Sequence, residues 1–134
     1  MNELQKFLLE NPVDNISEEI ILSKRLKDVK FKIRPMTGSE HQRYQNMCIT
    51  NANNPKKRNF DLTKFQSLIV VNHTVEPNFK DSEWLESAKI ADKDPMKLIG
   101  KVLLAGEIET LSEKILSLSG FSEDMDELID EVKN

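Results

Sequence analysis

A narrow apolar stripe in the stretch LLAGEIETLSEKILSLSGF, residues 103–121, limits what this chain can fold into. Its members recur at steps of four, three, four and three: Leu104, Ile108, Leu111, Ile115 and Leu118. Residues three and four apart lie on one side of an α-helix, so the spacing predicts a helix with one apolar face. Gly120 predicts a C-cap where the stripe ends. Two heptads are too few to define a coiled coil, so a core face and a seam with a partner or second subunit both stay open.

A second stretch, VKFKIRP at residues 29–35, has the two-residue period of a β-strand. Its aliphatic and aromatic residues alternate with three cations, namely Lys30, Lys32 and Arg34. A strand places alternate side chains on opposite faces, so the three cations should share one face. The preceding EEIILSKRL, residues 18–26, also alternates, and Lys27-Asp28 would form a tight connection. We therefore predict a β-hairpin whose basic face is either solvated or docks an acidic helix.

Helical patterns fill most of the remaining chain. We predict helices over residues 2–10, 39–49, 61–75 and 95–119, a short turn from Ser82, and a final helix over 122–133. Asp61 and the Asp94-Pro95 pair have the residue types that begin helices. Gly106 favours a bend or break near residue 105. The prediction is an α+β fold, with an N-terminal β-hairpin or small antiparallel sheet packed against a mainly helical body and against the stripe helix. Residues 1–134 should form a single domain.

Charge is unevenly distributed along the 134 residues, although the net charge is only -4. Residues 22–44 carry seven basic and two acidic side chains, whereas residues 121–134 carry six acids and one lysine. The acidic end also has an apolar stripe made of Met125, Leu128, Ile129 and Val132. A helix this short is unstable alone in water, so another surface should cover it. We expect that surface to be the basic hairpin face, and residues 122–134 to be mobile or exchanged between subunits.

Catalytic, metal-binding and membrane functions have little support in the sequence. Cys48 and His41 are two helical turns apart, about 10 Å, which is too far for a catalytic pair. His73 has no second metal ligand at helical spacing, and the acidic end lacks the glycine of a calcium-binding loop. No apolar run is long enough to span a bilayer. We therefore expect no enzymatic activity, no cofactor and no membrane association.

Nucleic-acid binding is the weakest of the alternatives that we retain. Lys56, Lys57 and Arg58 form a basic cluster, but aromatic residues do not alternate with them and the chain as a whole is acidic. We therefore expect protein partners rather than DNA or RNA.

Two blocks of the chain carry a resemblance to a known family. The block SKRLKDVKFKIRPMTGSEHQRY, residues 23–44, is similar to the entry hairpin of XkdN-like phage tail assembly chaperones. The block LLAGEIETLSEKILSLSGF, residues 103–121, resembles their late helix, in which an Ala-Gly-Glu step leads to a Leu-Ser-Gly-Phe stop. The order and distance of the two blocks also match, from about residue 17 onward.

The resemblance implies a non-catalytic chaperone of a tailed phage, a prophage or a phage-tail-like particle. Such a protein would bind the tape-measure protein in the host cytoplasm until tail-tube subunits replace it, and would be absent from the finished particle. The apolar stripe, the acidic segment and the basic hairpin face would then bind partners, including other copies of the chain. A structural tail or head–tail connector protein and a small DNA-binding regulator remain alternatives.

Overall fold

The computed structural model describes residues 1–121, which contain six α-helices and five short strands. The helices are α1 (Glu3–Glu10), α2 (Gly38–Cys48), α3 (Leu62–His73), α4 (Ser82–Ser87), α5 (Pro95–Val102) and α6 (Ala105–Leu118). The strands are β1 (Glu18–Ile21), β2 (Lys30–Ile33), β3 (Ile49–Thr50), β4 (Asn59–Phe60) and β5 (Thr74–Glu76). The predicted α+β class is confirmed. The helix predicted over 122–133 lies outside the described residues.

The predicted hairpin is present as β1 and β2, which pair antiparallel. Phe31 and Ile33 of β2 are buried, as their alternation predicts. The first strand is shorter than predicted, because β1 ends at Ile21 and a 3₁₀ turn follows at Lys24–Leu26. A tight turn is present at Lys27-Asp28, where the amide of Val29 donates to the carbonyl of Leu26 at 3.0 Å. It forms only the last part of a longer connection, so the prediction that it joins the two strands directly is wrong. Strand β1 ends early because Ser23 and Arg25, in the connection that follows it, bind Glu107 in a distant part of the chain.

A third strand, β5, pairs with the other edge of β2 and makes β2 the centre of an antiparallel sheet. We predicted that α3 would continue to residue 75, but the helix ends at His73 and residues 74–76 are extended. The backbone amide of Arg34 donates to the carbonyl of His73 at 2.9 Å, which joins the end of β2 to the end of α3. Pairing with β2 thus overrides the local helical pattern.

Side-chain caps determine where several helices begin. Asp61 accepts from the amide of Lys64 at the start of α3, and Asp94 accepts from that of Met96 at the start of α5, as predicted. The expected break in the long C-terminal helix lies at Leu103 and Leu104, whose backbones are extended. Gly120 has a φ of 98°, the left-handed conformation expected after α6.

The core surrounds α3, which buries Phe65, His73 and residues 68–71. Helices α2, α5 and α6 all pack against it. On α6, Leu111 and Ile115 are completely buried. The stripe helix therefore packs chiefly against α3, whereas we expected it to pack on the hairpin.

Replacing Leu111 by alanine should destabilise the protein by about 2–5 kcal/mol, because it leaves a cavity between α6 and α3. Leu104 belongs to the same sequence stripe but is 60% exposed, so Leu104→Ala should change the free energy of unfolding by less than about 0.5 kcal/mol. Urea unfolding of both variants checks the prediction. Equal losses would contradict the burial difference.

Candidate partner-binding surfaces

The apolar stripe offers only a small accessible surface. Leu111 and Ile115 lie in the core, and Ile108 and Leu118 are half-buried against it. Leu104 alone among the five stripe residues is largely exposed, and it lines an open groove of about 490 Å³ beside the β1–β2 connection. Within the stripe, the structure therefore buries Leu111 and Ile115 and leaves only Leu104 largely exposed.

The cations of the predicted basic face each lie beside acidic groups. Nζ of Lys30 is 3.9 Å from a carboxylate oxygen of Glu19, and both side chains are exposed. Lys32 is the cross-strand neighbour of Glu19 on β1 and of Glu76 on β5. Opposite residues in an antiparallel pair share a face, so these two carboxylates border Lys32. The outer sheet surface is therefore mixed in charge.

Arg34, the third predicted cation, lies beyond the end of β2 and contacts the helices. Its Nη2 donates to the backbone carbonyl of Asn72 at 2.9 Å and lies 3.7 Å from a carboxylate oxygen of Glu40. The side chain is about one-third exposed. Arg34 thus joins the sheet to α2 and α3, and the structure separates its role from those of Lys30 and Lys32.

The acidic stripe that we expected to cover this face cannot be placed. Its members, Met125, Leu128, Ile129 and Val132, lie outside residues 1–121.

A buried carboxylate, Glu107, joins the β1–β2 connection to the start of α6. It accepts hydrogen bonds from Ser23 Oγ at 2.6 Å, Arg25 Nε at 2.8 Å and the backbone amide of Leu104 at 2.8 Å. Nη2 of Arg25 donates to the second carboxylate oxygen, and also to the carbonyl of Val102 at 3.1 Å. A carboxylate three residues into a helix commonly caps its first turn, and that part was predictable. Its partners Ser23 and Arg25 lie more than eighty residues earlier in the chain, so no local sequence pattern predicts these contacts.

These donors keep Glu107 ionised. The hydrogen bonds from Arg25, and then those from Ser23 and the Leu104 amide, lower the pKa of Glu107 to about 2. Because the folded pKa lies below the unfolded value, the pair stabilises the fold fully above about pH 4.5. This stabilisation is lost as the pH falls toward 2.

A second polar cluster lies between α2 and α3. Nε2 of His73 shares a hydrogen bond of 2.8 Å with the hydroxyl of Tyr44, and both side chains are buried. A carboxylate oxygen of Glu40 is 3.9 Å from the same nitrogen. Burial, and then the nearby guanidinium of Arg34, lowers the pKa of His73 to about 4, so the imidazole is neutral at pH 7. This histidine holds helices together in the core.

Helix α1 carries an apolar face that nothing in the described structure covers. Asn2 is the N-cap of this regular helix, and its side chain accepts a hydrogen bond from the amide of Gln5. None of the residues of α1 is buried. Leu4, Phe7 and Leu8 lie on one face and are each about 60% exposed. The sequence predicted the helix, but an amphipathic pattern does not tell whether the covering surface belongs to the same chain. Exposed apolar faces of this kind mark contacts with other molecules.

Two features of the described structure concern metal binding and membrane insertion. Within residues 1–121, no cluster of three or more His, Cys, Asp and Glu side chains could hold a metal ion. In the same part of the chain, every helix is too short or too polar to cross a membrane.

We expect Glu107→Gln to lower the free energy of unfolding by about 1–3 kcal/mol, because Arg25 and Ser23 lose a charged acceptor. Glu109→Gln is the matched control, since this carboxylate is on the same helix but exposed. Denaturant unfolding at pH 7 measures both. A Glu107→Gln protein as stable as the control variant would show that the buried pair contributes nothing.

The low pKa of His73 predicts a specific pH dependence of stability. Between pH 6.5 and about 4 the unfolded chain binds a proton at His73 that the folded protein excludes, so stability falls as the pH is lowered through this range. His73→Gln keeps a hydrogen-bonding partner for Tyr44 but does not titrate. As the pH falls below 6.5, the unfolding free energy of the wild type should therefore decrease toward that of the variant, by up to about 1.4 kcal/mol per pH unit. Parallel pH profiles would contradict the buried, neutral state of His73.

Comparison with known proteins places the whole chain in one family. Two relatives come from Bacillus subtilis (strain 168): the phage-like element PBSX protein XkdN, 25% identical over 98% of this chain and 94% of its own length, and the protein YqbN, 27% identical over 98% and 93%. The crystal structure of YqbN superimposes with a TM-score of 0.66 and 26% identity, covering 90% of this chain and 98% of that one. The model of the phage XkdN-like tail assembly chaperone proteins matches residues 4–133. The chain therefore belongs to the family of phage XkdN-like tail assembly chaperones.

Proposed function

We propose that this protein binds the tape-measure protein while a phage tail, or a phage-tail-like particle, assembles. Membership of the tail assembly chaperone family supports a non-catalytic role in tail assembly. The choice of the tape-measure protein as client follows from the resemblance described in the sequence analysis. In this proposal tail-tube subunits later displace the chaperone. It acts in the cytoplasm of the bacterial host and is absent from the finished particle.

The observation that carries the proposal is the uncovered apolar face of α1. Leu4, Phe7 and Leu8 form a short helical stripe of the kind that docks against another amphipathic helix. An isolated eight-residue helix gains too little from its own hydrogen bonds to be stable in water. A client helix that packs on this face would bury the three side chains and stabilise α1 at the same time.

The charges and the length of α1 favour a reversible contact. Its helical residues carry Glu3, Lys6 and Glu10, so ion pairs can orient a client but each adds little affinity at an exposed site. Few apolar side chains take part, which keeps the contact area small. A chaperone that must be replaced by tail-tube subunits needs such a limited, exchangeable contact.

The test is co-expression of the protein with the tape-measure protein of the same phage or phage-like element, followed by affinity capture of the complex. Leu4→Asp combined with Phe7→Asp should abolish capture, because two charges would enter the apolar face. Lys6→Glu changes the net charge by the same amount on the opposite face of α1 and should leave capture intact. Since no residue of α1 is buried, both variants should melt at the wild-type temperature.

Retention of the client by the Leu4→Asp/Phe7→Asp variant would exclude α1 as the contact. Failure of the wild-type protein to capture the tape-measure protein at all would contradict the proposed function. A mass-spectrometric census of purified particles separates a chaperone from a connector protein, because only a connector would be present in them.

A further inference from the structure

Four aromatic rings form a continuous row between α2, α3 and the end of the described chain. Phe65, within the row, is buried, and the other three rings reach the surface. The ring of Phe121 lies 4.8 Å from that of His41, His41 lies 5.7 Å from Phe65, and Phe65 lies 5.3 Å from Phe60. These centroid separations are those of rings in direct contact. The row thus leads from Phe121 to strand β4.

The two ends of the row are open to solvent. Phe121 is 56% exposed and Phe60 is 40% exposed. Leu62, one residue beyond the N-cap of α3, is 58% exposed. The described structure therefore leaves an apolar surface here that nothing within residues 1–121 covers.

A basic loop borders the Phe60 end of this surface. Strands β3 and β4 pair directly, and the loop between them, residues 51–58, carries Lys56, Lys57 and Arg58. All three are exposed, and within the described chain none lies within ion-pair distance of a carboxylate. The loop therefore differs from the outer sheet face, where carboxylates border Lys30 and Lys32.

The residues that follow Phe121 have the chemistry that this surface requires. Met125, Leu128, Ile129 and Val132 would share one side of a helix, and six acidic residues occupy other positions of the segment. An amphipathic acidic helix can place its apolar side on the aromatic row and its carboxylates toward the basic loop. The segment therefore matches the surface in two ways: its apolar side suits the aromatic row, and its carboxylates suit the basic loop.

Length and attachment also favour this segment as the occupant. Twelve helical residues extend about 18 Å, which is comparable to the three ring-to-ring steps of the row. The segment follows directly after Phe121, which is itself the first ring of the row. A ligand tethered beside its binding surface has a high effective concentration, so weak contacts suffice.

We propose that residues 122–134 bind, within the same chain, to the aromatic row and the basic loop formed by Lys56, Lys57 and Arg58. The acidic segment is then a built-in ligand of this surface, and its site differs from the hairpin face that the sequence suggested. A client or a neighbouring copy with an acidic amphipathic helix would compete with it. The proposal does not depend on the identity of the client.

Paramagnetic relaxation in the full-length protein tests the contact. A nitroxide is attached at Lys133→Cys; Cys48 is completely buried, so the introduced thiol should react selectively. Amide signals of residues 56–66 should lose most of their intensity, whereas those of residues 30–34 should not. Leu128→Asp combined with Ile129→Asp should restore the lost signals.

Two charge-reversal variants compare the basic loop with the sheet face. Lys56→Glu, Lys57→Glu and Arg58→Glu together should restore most of the intensity at residues 60–66. Lys30→Glu with Lys32→Glu should leave the broadening unchanged. Each variant's amide spectrum, recorded without the label, verifies that the body is folded.

Three outcomes would overturn the proposal. Broadening confined to residues 30–34 would place the segment on the sheet, and an absence of selective broadening would mean that it does not dock. Broadening of ¹⁵N-labelled protein by a separate spin-labelled copy without ¹⁵N would show exchange between chains. None of these results requires the tape-measure protein, so they are independent of the proposed function.

Discussion

Burial of α3 on several sides is the constraint on which the rest of the structure depends. Helices α2, α5 and α6 pack against it, and the chain passes directly from its last residue into β5, which completes the sheet. Only 38% of the residues are hydrophobic, so the chain has little apolar material to distribute. Concentrating it around one helix gives a well-packed centre. It also leaves apolar side chains on α1 and near β4 without a cover from residues 1–121.

Local patterns in the sequence predicted what local physics controls. The alternation at residues 29–33 predicted β2, the capping residues Asp61 and Asp94 predicted the starts of α3 and α5, and Gly120 predicted the end of α6. Each signal involves residues within one or two turns of each other. One amino-acid sequence, without an alignment, is sufficient to recognise these signals.

Nonlocal contacts account for what the sequence did not predict. Residues 74–76 become a strand because the open edge of β2 is beside them, and the first strand ends early because Ser23 and Arg25 bind Glu107. Neither partner is identifiable from spacing along the chain. The apolar stripe illustrates the same limit: its periodicity predicted a helix, but only packing against α3 separates buried Leu111 from exposed Leu104.

The link between Arg25 and Glu107 has a consequence for how the protein forms on the ribosome. The two residues are separated by 82 positions, and ribosomes add about 5–20 residues per second, so Glu107 is added roughly four to sixteen seconds after Arg25. Strand β2 likewise emerges well before β5. During this interval the nascent hairpin has an unpaired edge and no helical layer to cover Phe31 and Ile33. The hairpin is thus synthesised early, and helices α5 and α6, which complete the core, are synthesised last, so the unfinished chain exposes the kind of apolar surface that general chaperones bind.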